Sequence, residues 1–100
     1  MNFLHDFPLK RFKIKNDSMV PFLQERDEVL TISYFFSQPK VGDVIVFRQL
    51  VPPFILCKRI IKIVNDKIWV EGDNKKKSID SRNFGFIKRK DIIGKMLFKL

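Results

Sequence analysis

Short runs rich in β-branched and aromatic residues, each cut off by Pro, Gly or an Asn-Asp pair, limit the fold of this chain more than any other feature. Glu28 to Phe36 (EVLTISYFF) and Val44 to Phe47 read as strands separated by Pro39, Gly42 and Asp43. Pro52-Pro53 breaks the chain again before Ile55 to Val64 (ILCKRIIKIV). Asn65-Asp66 supplies a tight turn into Lys67 to Glu71 (KIWVE), which predicts a hairpin, and a last strand is expected near Ile92 to Phe98. The polar stretch from Gly72 to Asn83 reads as a loop, and one helical turn is expected after Pro21. No long window repeats apolar residues at helical spacing, and no internal repeat is present. The expectation is a small, mostly antiparallel, all-β domain.

The 100 residues leave room for one domain over 1–100, with 1–11 expected as a flexible N-terminal segment. A hydrophobic fraction of 45% and eleven Phe support a packed core. The core must hold unaided: the single cysteine, Cys57, forms no internal disulfide, and no His/Cys pattern has zinc spacing. No metal or organic cofactor is expected. No run reaches the roughly 18–20 apolar residues that cross a bilayer, and MNFLHDFPLKRF has neither the apolar stretch nor the small-residue cleavage site of a secretory leader. A cytoplasmic chain is the default expectation, with peripheral membrane contact as the alternative. Seven basic and six acidic residues precede Lys58, whereas thirteen basic and five acidic residues fall from Lys58 onward, so nearly all of the net charge of +9 lies in the second part. That imbalance reads first as a solvated basic face, with nucleic acid or an anionic surface as the lesser reading.

On an extended strand around Lys58, Leu56, Lys58, Ile60 and Val64 share one face, and Cys57, Arg59, Ile61 and Ile63 share the other. A lysine between Leu56 and Ile60 either carries its ammonium out to water or is held in a dry place. Cys57, facing away from Lys58, reads as a buried inert thiol.

Four blocks, in order, resemble the type I signal peptidase family of Ser/Lys proteases. Ser18-Met19-Val20-Pro21 is similar to the family's motif around its nucleophile, and Gly42-Asp43-Val44-Ile45-Val46-Phe47 to its Gly-Asp-Val-Val-Phe strand. Cys57-Lys58-Arg59-Ile60 resembles the segment bearing its general-base lysine. Gly72-Asp73-Asn74, with Ser78, Asp80-Ser81-Arg82 and Phe84-Gly85, resembles its Gly-Asp-Asn…Ser-x-Asp-Ser-Arg-x-Phe-Gly block. The likeness runs from Phe12 to the C-terminus. In lacking membrane spans and an inserted lobe before Gly72, the chain is similar to the nickel superoxide dismutase maturation proteases of the same superfamily. Asp17 before the Ser-Met pair looks more like the self-cleaving SOS repressors, which do not usually carry the last block.

The resemblance implies a coiled sheet or partly open barrel, and a serine endopeptidase that removes a leader or signal peptide from a protein substrate. It implies Ser18 as nucleophile, Lys58 as general base, and Ser78, Asp80 and Arg82 as supports, with Ser78 orienting the Lys58 amine. The chemistry agrees. A serine hydroxyl needs a base, and His5 is the only histidine, near a chain end. A lysine at its ordinary pKa of about 10.4 is neutral in only about one molecule in 2,500 at pH 7. Bringing that value to about 7 requires roughly 4–5 kcal/mol against the ammonium, which burial among apolar groups can supply. The oxyanion is expected at the Ser18 backbone N–H, with the Asn16 amide as second donor. Met19, Val20, Phe22 and Leu56 are the expected substrate-binding residues. The alternative of a different class is an inactive, signal-peptidase-like binding module with a basic surface for nucleic acid or other anionic partners; aromatics among cations in Lys10 to Lys15 support it.

Overall fold

A computed structural model describes residues 7–35, 37–50 and 52–100, so His5 and Phe36 lie outside the described residues. Among the described residues seven strands form one antiparallel sheet: β1 (Leu9–Lys13), β2 (Glu28–Ile32), β3 (Val44–Gln49), β4 (Phe54–Val64), β5 (Lys67–Glu71), β6 (Ile87–Lys88) and β7 (Ile92–Lys99). Their spatial order is β1-β2-β7-β3-β4-β5-β6. The expected all-β class is what is found.

β3 sits between β7 and β4, which explains why Val44, Ile45, Val46 and Phe47 are all buried. A central strand covered on both faces needs apolar residues at every position. Ile45 and Phe47 join Ile60, Ile68, Val70 and Ile87 in one core cluster. Val44 joins Ile14, Met19, Leu23 and Val29 in another. The β4–β5 hairpin turns at Asn65-Asp66, both with positive φ, the geometry that matches strand twist.

Several expectations are corrected. Residues from Leu9 onward do not form a free end: β1 pairs with β2 from Leu9↔Ile32 to Lys13↔Glu28, while 1–6 lie outside the described residues. β4 carries a bulge between Ile60 and Lys62, so cross-strand pairing with Ile68 puts Ile63, rather than Val64, on the face of Ile60. The helical turn expected after Pro21 is instead a single turn spanning it, from Met19 to Leu23, closed by Leu23 N–H donating to the Met19 carbonyl at 2.9 Å. The segment read as a loop after Gly72 contains a short 3₁₀ turn (Lys75–Lys77) and one helical turn, α1 (Ser81–Phe84). Among the described residues no helix is long and apolar enough to cross a membrane.

Candidate active site

Lys58 pairs across the sheet with Ile45 and shares a face with Leu56 and Ile60. It is 1% exposed. The question of water or a dry niche is therefore settled by packing: burial pushes its pKa down, against a weaker opposing pull from Asp80 and Cys57. The Cys57 thiol is pushed up to about 12, chiefly by burial. Lys58 Nζ donates to Ser18 Oγ at 2.6 Å, across 40 residues of sequence.

Ser18 is buried and lies on the turn that follows β1. A second turn holds it from behind. Asn74 N–H donates to the Ser18 carbonyl at 2.8 Å, and Asn74 Nδ2 donates to the preceding Asp17 carbonyl at 3.0 Å. Gly72 is pressed against the same carbonyl: a Cβ there would stand 2.5 Å from the Ser18 oxygen and closer still to Ser78 Oγ. Only glycine lets the two turns approach this closely.

Asp80 fixes that second turn. Its side chain is fully buried and accepts from Gly72 N–H at 2.9 Å, from Ser78 Oγ at 2.6 Å and from the Arg82 guanidinium at 3.0 and 3.1 Å. Burial alone would raise its carboxyl, but these donors hold it well below the usual carboxylate range. Asp80 also caps α1 by accepting from Arg82 N–H. Ser81, buried beside it, accepts from Val70 N–H at 2.8 Å and ties α1 to β5. Arg59, next to Lys58, pairs with both Asp73 oxygens at 2.9 Å and lies 4.8 Å over the Phe22 ring.

Two expected contacts differ. Ser78 bonds Gly72 and Asp80 rather than Lys58, so the expected orienting bond to the amine is not formed. At Asn16 it is the oxygen end that faces Ser18: the Ser18 N–H donates to Asn16 Oδ1 at 3.1 Å, because an N–H can only be met by an acceptor. Ser18 and Lys58 open onto a groove of about 500 Å³, which Met19 and Leu56 also line; Val20 and Phe22 lie off it. Reading the sequence singled out neither Gly72 nor Asn74 as a site residue. Their signal was a Gly-Asp-Asn turn placed directly after a strand, where a glycine marks close backbone approach. Among the described residues, no three His, Cys, Asp or Glu side chains gather as a metal site would require.

The groove lies between two strand edges. Among the described residues, β1 ends the sheet, and Phe54 to Lys58 of β4 pair only with β3, since β5 joins β4 from Arg59 onward. Residues 11–16 line one wall and 53–57 the other.

Comparison with known proteins matches residues 1–63 and 52–100 to the family described as "Signal peptidase, peptidase S26". The chain is 28% identical over 135 residues to "Probable thylakoidal processing peptidase 2, chloroplastic" of Arabidopsis thaliana, covering 86% of this chain and 36% of that protein. It is 27% identical over 136 residues to "Probable signal peptidase I-1" of Synechocystis sp., covering 86% and 68%. It is 31% identical over 106 residues to "Mitochondrial inner membrane protease subunit 1" of Mus musculus, covering 83% and 64%. The chain thus spans between about a third and two thirds of the length of these relatives.

Proposed function

Because the chain belongs to the signal peptidase family, peptidase S26, we propose that it is a serine endopeptidase in which Ser18 and Lys58 form the catalytic pair and a leader or signal peptide is removed from a protein substrate. The observation carrying this reading is the 2.6 Å contact between Lys58 Nζ and Ser18 Oγ in a buried setting that disfavours the ammonium.

An extended peptide enters the groove and adds to the free edges of β1 and of Phe54 to Lys58, its main chain hydrogen-bonding as another strand would. Met19 and Leu56 meet its side chains. Neutral Lys58 accepts the Ser18 proton as Oγ attacks the scissile carbonyl, then passes it to the leaving amine. Water, deprotonated by the same amine, releases the acyl group and regenerates the hydroxyl. The incoming carbonyl oxygen displaces Asn16 Oδ1 and takes the Ser18 N–H, and the Asn16 amide, turned over, presents its NH₂ as second donor. Asp80, Arg82 and Ser78 act on the pair indirectly, by holding the Gly72–Asn74 turn that grips the Ser18 carbonyl.

Mass spectrometry of peptides with Ala-x-Ala before the cut tests this. Wild-type protein cleaves them, and Ser18→Ala, Lys58→Ala and Lys58→Arg do not, the last because a guanidinium stays protonated. Cleavage by any of these variants at the wild-type rate would remove the mechanism.

A further inference from the structure

The two groove walls differ in chemistry. Arg11, Lys13 and Lys15, at alternate positions, line the wall formed by β1 and the segment after it, and Pro53 to Cys57 line the other with apolar side chains and a thiol. Among the described residues no Asp or Glu lines the groove. Arg11 is already engaged with Glu28 at 2.9 Å. Lys13 lies near enough to lower the Glu28 carboxyl further, as a lesser influence than Arg11. Neither Lys13 nor Lys15 makes an ion pair among the described residues, and both are exposed.

Lys13 and Lys15 are two residues apart on one wall, the same step that separates side chains on one side of an extended peptide. We propose that the groove selects extended peptides with acidic side chains, two residues apart, on the face of the bound strand that adjoins the Lys13 and Lys15 side chains, and uncharged side chains on its other face. The inference rests on the groove being the peptide site proposed above. An acidic side chain there gains a cation on one side and an adjoining apolar wall that limits screening on the other. A basic side chain in the same place meets the Lys13 and Lys15 ammonium groups and is repelled.

The test reads binding apart from cleavage. Three fluorescein-labelled decapeptides of Ala, Val and Ser, with Asp, Lys or Ser at two alternating central positions, are titrated against full-length Ser18→Ala protein at low salt by anisotropy. The Asp peptide binds about tenfold more tightly than the Ser peptide, as two exposed charge pairs allow, and the Lys peptide more weakly. Adding Lys13→Glu and Lys15→Glu abolishes or reverses that order. Adding Lys88→Glu and Lys90→Glu instead, which changes the net charge equally but lies off the groove, preserves it. The inference is overturned if the order is the same in both charge-reversed proteins, if wild-type lysines give no preference for Asp, or if none of the peptides binds. Should the preference hold while wild-type protein cleaves no peptide, the proposed catalysis fails and the binding inference stands.

Discussion

The Asn74 N–H donates to the Ser18 carbonyl at 2.8 Å, so the Ser18 peptide is gripped from the Gly72–Asn74 turn while Lys58 meets its hydroxyl from β4. The Asn74 side chain adds a second grip on the Asp17 carbonyl. Asn74→Ala removes that bond and loosens the serine. A misplacement of about 1 Å costs on the order of 100-fold in rate, so a fall in kcat of about 10- to 100-fold is expected, with KM little changed. Stability falls by only about 1 kcal/mol, the worth of one hydrogen bond. Steady-state kinetics beside thermal unfolding separates the two; a loss confined to KM would contradict a positioning role.

Gly72→Ala strikes the same contact from the other side. The added methyl meets both the Ser18 carbonyl and Ser78 Oγ. Overpacking of this kind costs about 1–3 kcal/mol. Removing the Ser78 hydroxyl as well, in Gly72→Ala with Ser78→Ala, relieves the clash with Oγ and leaves those with the Ser78 Cβ and the Ser18 carbonyl. Melting temperature is expected to recover in part while cleavage does not, because the Ser18 backbone stays displaced.

Asn16 Oδ1 occupies the Ser18 N–H that is proposed to meet the oxyanion. If the amide turns over during the reaction, Asn16→Ala loses one oxyanion donor and kcat drops about 100- to 1,000-fold. Asn16→Asp, the same shape with no donor and a negative charge when ionised, falls at least as far at neutral pH. An Asn16→Ala protein as fast as wild type would mean that the side chain never donates.

Lys58 carries a stability cost beside the chemical role proposed for it. Its folded pKa lies below the ordinary value because of burial, so between that lowered value and about 10.4 the unfolded chain binds more protons than the folded one. Stability therefore rises with pH across that window, and below it the full cost is present. Lys58→Met, similar in length and apolar, is expected to gain roughly 1–2 kcal/mol at neutral pH, and a chain of this size shifts by about 4–8 °C in Tm per kcal/mol. The gain shrinks as pH climbs toward about 10.4. Denaturation of both proteins across pH checks the sign; a pH-independent difference would place the ammonium in water.

The apolar flanks of Lys58 were legible in the sequence because a strand's period of two assigns Leu56 and Ile60 to its face without tertiary information. Ser18 was legible through the Ser-Met-x-Pro resemblance alone. β1 was missed because LKRFK is an edge strand with cations on its outer face, and its partly covered Phe12 gives little apolar periodicity. The bulge at Ile61 leaves no compositional mark, since ILCKRIIKIV is apolar enough to suit either register. Ser78 and Asn16 defeated sequence reading for a common reason. Ser78 lies against the Gly72 turn and Asn16 beside Ser18, but the direction of a hydroxyl or amide depends on which backbone donor comes closest in the folded chain. The Asp80–Gly72 bond and the Ser18 N–H decide those directions.

The most direct test of the central claim is an NMR titration of the Lys58 side chain, following its Cε shift in protein labelled at lysine and assigned against Lys58→Met. The account predicts a midpoint clearly below the ordinary lysine value of about 10.4. A Lys58 that titrates at that ordinary value would contradict it.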